Sequence, residues 1–118
     1  MSLQLNGSTG LTFNNGSAQD VGGVGTGSQT WQNVAGSRTS GVTYTNTTGK
    51  PIMVSISATV LNTSIWIAYV SGIVVIYNNG SGATSNAPMT GTFIVPNGAN
   101  YSLSVSGGST VAYWAELR

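Results

Sequence analysis

The chain has 118 residues and only 4% charged side chains, against about 25% in a typical soluble domain. It has no cysteine and no histidine, which excludes a Ser-His-Asp triad, a Cys-His pair, a disulfide framework and an ordinary His/Cys zinc site. A net charge of +1 offers no electrostatic footprint for nucleic acid or an anionic membrane. We therefore expect no enzymatic activity, metal, cofactor, nucleic-acid partner or membrane insertion.

The first twenty residues contain three short extended pieces, around Leu3–Leu5, Leu11–Phe13 and Ala18–Asp20. The dipeptides Asn6-Gly7 and Asn15-Gly16 separate them, and Asn-Gly is a strong signal for a tight turn. This segment has too few apolar residues to hold a core alone.

Residues 21–28 are rich in glycine and predict a flexible connector. Their glycines do not have the Gly-x-Gly-x-x-Gly spacing of a nucleotide-binding loop. We therefore divide the chain into a short extended segment (1–20), a connector (21–28) and a main domain (29–118).

The main domain opens with three predicted strands, Thr30–Val34, Val42–Thr45 and Ile52–Leu61. Alternating apolar residues in the third and longest strand predict one buried face. That face consists of Ile52, Val54, Ile56, Ala58 and Val60.

A fragment before the third strand, Thr48-Gly49-Lys50, resembles half of a Walker loop. Tyr44 occupies the place of the first glycine that this motif requires, and Pro51 follows the lysine where serine or threonine is needed. We therefore predict a turn here.

Two apolar runs, Ile65–Val70 and Ile73–Tyr77, flank the dipeptide Ser71-Gly72 and predict a β-hairpin. Glycine at the second position of a two-residue loop permits the positive φ that primed turns require. This loop would place Trp66 opposite Tyr77. Both hairpin faces are apolar, whereas an antiparallel hairpin in a monomeric sandwich usually has one polar face. We expect one face to enter the core and a second layer or a neighbouring subunit to cover the other.

The rest of the chain alternates polar turns with short apolar runs. Asn78–Asn86 predicts a long polar loop, Thr92–Val95 a strand and Asn97-Gly98 a turn. Two further predicted strands also alternate. In the first, Tyr101, Leu103 and Val105 alternate with serines, and in the second, Val111, Tyr113, Ala115 and Leu117 alternate with Ala112, Trp114 and Glu116. Turn signals about every 8–12 residues, without a sustained helical period, predict an all-β sandwich or jelly roll of about seven or eight strands.

Three tryptophans, Trp31, Trp66 and Trp114, are the large side chains best suited to stack on a sugar ring. Packing in the core or at a subunit interface is the commoner role for each of them.

Asp20 and Glu116 are the only carboxylate side chains, and they lie in different predicted parts, which disfavours glycoside hydrolysis.

The preferred ligand-binding pair is Trp66 with Tyr77. Tyr77 leads directly into the Asn78–Asn86 loop, and binding residues tend to lie on loops held by a rigid scaffold. Asn78 and Asn79 would supply amide donors and acceptors, and Trp31 is the remaining candidate. The alternative for the loop is a plain solvated connection.

Four stretches of the main domain form a set: Thr43–Ile52, Ile67–Val75, Phe93–Tyr101 and Trp114–Arg118. Together they resemble the C-terminal tip domain of bacteriophage and prophage tail fibre proteins. None of them is a catalytic signature.

An N-terminal stretch, Leu11–Gln19, resembles the short shaft motif that often precedes such tip domains. The family commonly has an acidic residue where Asn15 and Ser71 stand here, and neither departure threatens the fold. Residues 1–20 are accordingly shaft-like.

The resemblance implies a homotrimeric, non-enzymatic tip domain on a slender shaft, exposed on the virion and made in the cytoplasm of the bacterial host. Its implied partner is a receptor on the bacterial surface, a glycan or a protein. The alternative is a purely structural domain that trimerises and stabilises or decorates the fibre. A free-standing lectin is a weaker hypothesis because the shaft motif is present.

Overall fold

The computed structural model describes residues 4–6, 10–12, 18–19, 24, 28–82 and 86–118. Two antiparallel sheets of four strands form a sandwich, and a separate three-stranded sheet lies in the N-terminal segment. The predicted all-β sandwich is therefore confirmed. No helix in the described ranges is long and apolar enough to cross a membrane.

The N-terminal segment contains an antiparallel sheet in the order β1-β2-β3. Its strands are β1 (Gln4–Asn6), β2 (Gly10–Thr12) and β3 (Ala18–Gln19). Each overlaps one of the predicted extended pieces, and β1 ends where the Asn6-Gly7 turn is predicted. The Asn15-Gly16 turn and the connector, apart from Val24 and Ser28, lie outside the described residues.

Eight strands build the sandwich. They are β4 (Trp31–Asn33), β5 (Thr43–Thr45), β6 (Ile52–Val60), β7 (Ile65–Val70), β8 (Ile73–Asn79), β9 (Ala87–Val95), β10 (Asn100–Ser106) and β11 (Thr110–Leu117), with a short 3₁₀ turn at Ala35–Ser37. The first sheet has the order β5-β10-β7-β8 and the second β4-β11-β6-β9. Every connection except the β7–β8 hairpin passes from one sheet to the other, which is the strand order of a jelly roll.

Strand β6 alternates between core and outer face along its whole length. Its inward residues are those predicted from the sequence, and each is at most 1% exposed: Ile52, Val54, Ile56, Ala58 and Val60. The core cluster also includes Trp66, Ala68, Tyr101 and Leu103 from the first sheet. Burying a large apolar side chain contributes about 1.5–3 kcal/mol, so this layer is the main source of stability.

The Ser71-Gly72 turn of the β7–β8 hairpin forms as predicted. Both residues have positive φ, 51° and 79°, which a primed two-residue turn requires. Val70 pairs with Ile73 beside the turn. The main-chain N–H of Ser71 donates to the carbonyl of Asn100 at 2.8 Å, which ties the turn to β10.

Further along, the hairpin departs from the predicted register because β8 carries a bulge at Val75. The predicted pairing of Trp66 with Tyr77 is wrong, since Trp66 lies opposite Asn78. An extra residue in one strand reverses the side-chain alternation beyond it. Ile76 therefore packs against the core, and Tyr77 faces outward with 56% of its surface exposed.

Asn46 holds the turn that the sequence predicts before β6. Its buried Nδ2 lies within hydrogen-bonding distance of the carbonyls of Lys50 (2.7 Å), Val95 (3.0 Å) and Pro96 (3.2 Å). Its Oδ1 accepts from the main-chain N–H of Thr48 at 3.1 Å. The fragment that resembles a Walker loop is thus a turn tied to the end of β9.

The two ends of the sandwich hold different parts of the chain. At the end that we call the entry end, Gln29 joins the domain and its Nε2 donates to the carbonyl of Pro51 at 2.9 Å. The Ser71-Gly72 turn lies at the same end, because β7 ends against the start of β10 and β10 follows the short turn after β9. The β6–β7, β8–β9 and β10–β11 connections lie at the opposite, far end.

Gly91 in β9 leaves room for two core side chains. A Cβ at this position would lie 2.8 Å from Cη2 of Trp66 and 2.5 Å from Cδ1 of Ile76. Trp66 is fully buried, and the bulge directs Ile76 inward. The glycine and the bulge therefore belong to one packing arrangement.

We expect Gly91→Ala to destabilise the domain by about 1–3 kcal/mol, the usual cost of overpacking a core. Gly36→Ala is the matched control, because nothing lies within 4 Å of a Cβ at Gly36 and its φ is outside the left-handed region. Urea titration of both variants gives the free energies of unfolding. Equal midpoints would show that the core relaxes around the added methyl group.

Candidate functional site

Three of the five charged residues meet in one buried cluster, formed by Arg38, Glu116 and Arg118. Glu116 is fully buried, and its Oε1 and Oε2 accept from Nε (2.9 Å) and Nη2 (3.0 Å) of Arg38. Nη1 of Arg118 donates to Oε2 at 2.9 Å, and the hydroxyl of Tyr101 donates to Oε1 at 2.8 Å. Both carboxylate oxygens are therefore fully engaged.

The cluster keeps its charges near neutral pH. Burial alone would raise the pKa of Glu116, but the hydrogen bonds from Arg38 and Tyr101 and the charges of Arg38 and Arg118 outweigh burial and hold this pKa below its usual value. Burial and the bond to the carboxylate raise the pKa of Tyr101 to about 12. A carboxylate that stays ionised and has no access to solvent is poorly placed to exchange protons with a ligand.

Aromatic rings extend the cluster. The guanidinium of Arg38 lies 4.5 Å above the ring of Tyr44, a favourable cation–π geometry. Tyr44 packs edge-on against Trp114, with ring centroids 6.1 Å apart, and tilted against Tyr101 at 5.9 Å. Trp114 is 1% exposed, so its role here is packing, the commoner role considered from the sequence.

We expect the domain to lose stability in acid partly through Glu116. Its pKa is lowered on folding, so its contribution is present above the unfolded value of 4.5 and disappears as the pH falls through the lower folded value. Near neutral pH, Glu116→Gln should be less stable by about 3 kcal/mol, because two arginines lose their counter-charge.

Thermal melts of both proteins from neutral to strongly acid pH test this prediction. The stability difference should narrow as the pH falls below about 4.5, since the carboxylate of the unfolded wild-type chain takes up a proton there before the folded one does, while the glutamine does not titrate. A difference that stays constant into acid would contradict the assignment.

The outer face of the first sheet carries an open groove with a volume of about 430 Å³. It lies at the entry end, across β5, β10 and β7, and its lining residues are Thr43, Tyr69, Ser71, Gly72, Asn100, Tyr101 and Ser102. Its volume falls within the range of roughly 300–1,000 Å³ that is typical of small-molecule sites.

Strand pairing positions the groove's side chains. Ser102 on β10 lies opposite Thr43 on β5 and opposite Tyr69 on β7, so the three form one cross-strand row. Asn100 lies one row closer to the turn, where Oγ1 of Thr45 donates to its Oδ1 at 2.7 Å. These rows place hydroxyl, amide and aromatic groups on a rigid surface.

Several polar groups of the groove have no hydrogen-bond partner within the protein. Among the residues that the structure describes, the hydroxyls of Thr43, Tyr69 and Ser102 have no hydrogen-bond partner, and neither has Nδ2 of Asn100. A hydroxyl can both donate and accept, and the amide nitrogen donates. The groove therefore offers donors and acceptors beside the ring of Tyr69.

The structure does not bring the predicted binding residues together. Trp66 is 0% exposed in the core, and Asn78 is half-buried opposite it. Tyr77 and Asn79 are exposed on the outer face of β8, whereas Trp31, 52% exposed, lies on β4 of the other sheet. The predicted ligand-binding pair of Trp66 with Tyr77 is therefore not formed.

The predicted polar loop is shorter than expected, because Asn78 and Asn79 belong to β8. Oδ1 of Asn79 accepts from the main-chain N–H of Ser81 at 3.0 Å, and Gly82 donates to Oδ1 of Asn62 at 3.1 Å. The amide oxygens of Asn79 and Asn62 thus bind the main chain of the β8–β9 connection. Residues 83–85 of the predicted loop lie outside the described residues.

Sequence reasoning did not identify the groove. It predicted strands at Tyr69 and Ser102 and gave neither residue a role in binding. The turn residues Ser71 and Gly72 were found, but their contact with β10 depends on pairing between strands about thirty residues apart. The sequence feature that could have indicated the groove is the occurrence of polar residues and a tyrosine at outward positions of neighbouring strands.

A second surface is apolar. Strand β8 is the last strand of its sheet, and it exposes Ile73 (68%), Val74 (49%), Val75 (42%) and Tyr77 (56%). We call this surface the β8 edge. Long apolar edge strands are prone to associate with other chains, so natural proteins usually cover or charge them.

No protein-family model, no curated protein and no solved structure matches this chain. Within the described ranges, no group of three or more Asp, Glu, His or Cys side chains is placed to hold a metal ion. The function is therefore inferred from the geometry of the groove and of the β8 edge.

Proposed function

We propose that this chain is the trimeric, non-enzymatic tip domain of a bacteriophage tail fibre and that it recognises a glycan on the surface of a bacterium. The groove carries this proposal, because it presents free hydroxyl and amide groups beside an aromatic ring on a rigid sheet. In this role the protein is exposed on the virion after its synthesis in the cytoplasm of the bacterial host.

The stretches that resemble tail fibre tips have structural roles that support the proposal. Thr43–Ile52 contains the turn held by Asn46. Phe93–Tyr101 contains the β9–β10 connection, whose carbonyls accept hydrogen bonds from Asn46. Ile67–Val75 forms the hairpin turn beside the groove, and Trp114–Arg118 supplies the carboxylate of the buried cluster. Three of these four stretches contribute residues that line the groove.

The buried charge cluster favours binding over catalysis. Within the described ranges Glu116 is the one carboxylate side chain, and arginines and a tyrosine occupy both of its oxygens. Tyr101 separates the two regions, since its hydroxyl bonds to Glu116 on the core side of β10 while Ser102 faces the groove. The described lining residues of the groove therefore include no carboxylate, imidazole or amine side chain.

The β8 edge supports the trimeric part of the proposal. Covering this strand with a neighbouring copy would remove four exposed apolar side chains from water. The groove lies over β5, β10 and β7, and it meets the β8 edge at the Ser71-Gly72 turn and at Tyr69, which pairs with Val74, so a copy that covers β8 would lie beside the groove. From the sequence we expected a second layer or a neighbouring subunit to cover one face of the hairpin. We propose that a neighbouring copy covers the exposed residues of β8.

The first test compares Tyr77→Lys with Tyr113→Lys by light scattering at several concentrations. Wild type and Tyr113→Lys should have the mass of three chains, whereas Tyr77→Lys should dissociate because its charge lies in the apolar edge. Tyr113 is a matched control since it is 70% exposed on β11 of the other sheet. A monomeric wild type would contradict the trimer and favour a free-standing lectin.

The second test measures retention of the labelled trimer on a panel of bacterial cells. We expect retention on at least one host, competition by polysaccharide isolated from that host, and loss after periodate cleavage of the sugar diols. Retention that survives periodate but not protease treatment would identify a protein receptor instead. A verified trimer retained by no cell type would count against host recognition.

A purely structural role is the second candidate, and the β8 edge is the observation that favours it. An assembly surface alone would account for a domain that trimerises and stabilises a fibre without touching a receptor. In that case substitutions within the groove would leave phage adsorption unchanged, whereas Tyr77→Lys would impair fibre assembly.

A further inference from the structure

We propose that the groove selects an uncharged sugar unit, bound with its ring against Tyr69 and its hydroxyls on Ser102, Thr43 and Asn100. This inference rests on the proposed function and specifies the class of ligand. It excludes acidic sugars such as uronic acids and phosphorylated sugars.

The described lining of the groove is uncharged. None of the seven described lining residues carries a charged side chain. Three of the chain's charged residues, including two of its three cations, pair with one another in the buried cluster. An anionic ligand would lose part of its hydration on entering the groove and would find no arginine or lysine to replace it.

The polar groups of the groove match those of a sugar. Sugar hydroxyls both donate and accept hydrogen bonds, and so do the free hydroxyls of Tyr69, Ser102 and Thr43. Asn100 adds a donor whose orientation is set by the bond from Thr45 to its Oδ1 (2.7 Å). A carboxylate or phosphate only accepts, so it would use the donors of the groove and leave the acceptors unpaired.

The shape of the groove also suits a sugar ring. Tyr69 is half-buried on β7, between β10 and β8. A tyrosine has few rotatable bonds, so its ring provides apolar area for the C–H face of a pyranose at little cost in conformational entropy. A volume of about 430 Å³ lies toward the lower end for ligand sites and suits a short sugar unit.

The decisive experiment follows the amide spectrum of the isotope-labelled full chain during titration with sugars. The neutral probes are the methyl glycosides of glucose, galactose and N-acetylglucosamine, and the anionic probe is glucuronic acid. At least one neutral probe should shift the amides of Ser71, Gly72 and Ser102 at concentrations above about 1 mM, independently of salt, while glucuronic acid should not. No shift with any neutral probe would overturn the proposal.

Substitutions at Tyr69 test the role of the ring. Tyr69→Ala should weaken binding of that neutral probe by about tenfold or more, while Tyr69→Phe should keep most of the affinity if stacking dominates. Tyr113→Ala, which removes an exposed tyrosine from the other sheet, should change the affinity by less than about twofold. The same spectra show that each variant is folded. Equal binding by wild type and Tyr69→Ala would overturn the proposal.

A matched pair at Ser71 tests the charge of the ligand. Asparagine and aspartate both tolerate the positive φ of this turn position, and they differ mainly in charge. Ser71→Asn and Ser71→Asp should bind the neutral probe with affinities within about twofold of each other. Strong binding of glucuronic acid that Ser71→Asp alone abolishes would show that the groove takes acidic sugars.

Retention on cells separates failure of this inference from failure of the proposed function. If cells retain wild type and Tyr69→Ala equally, host recognition stands and the groove is not the site. If the neutral glycoside binds as expected but no cell retains the trimer, the groove inference stands and the host-recognition role fails.

Discussion

Glu116 places a negative charge inside the sandwich where water does not reach, and much of the domain is arranged around it. Two arginines and the hydroxyl of Tyr101 compensate for its lost hydration. Tyr101 comes from β10 of the opposite sheet, Arg38 from the segment between β4 and β5, and Arg118 from the residue after β11. The carboxylate therefore joins the layers in one relative position, which apolar contacts alone specify less strictly.

Tyr101 makes the two faces of β10 chemically different. Its ring and hydroxyl belong to the core, where Glu116 and Tyr44 contact it. The next residue, Ser102, faces outward into the groove. The alternation of a β-strand thus separates a buried ionic cluster from a neutral hydrogen-bonding surface within two consecutive residues. Because of this separation, Glu116 is paired with two arginines on the core side of β10 while the outer side of the same strand presents uncharged polar groups.

The bulge at Val75 has a comparable effect on β8. It directs Ile76 onto the space left by Gly91 and directs Tyr77 outward. The core gains a close packing contact, and the edge strand gains an exposed aromatic residue. Core packing and the proposed subunit interface therefore depend on the same local irregularity. The groove lies on the other side of β7, where the ladder remains regular.

The sequence alone determined the fold class, the core face of β6, the turn at Ser71-Gly72 and the turn before β6. Each depends on local information, either a period of two or the φ values that glycine and its neighbours can adopt. The bulge left no comparable signal, because Val75 is as suitable for a regular strand as its neighbours. That single extra residue reversed the facing of Tyr77 and removed the predicted pair with Trp66.

The candidate site was decided by tertiary structure. Thr43, Tyr69 and Ser102 come from three strands that are distant in sequence, and only their pairing places them in one row. The same is true of Arg38 and Glu116, which are 78 positions apart. Local patterns specify which side chains leave a strand on the same face, but they do not specify which strands become neighbours, because that depends on the packing of the whole chain.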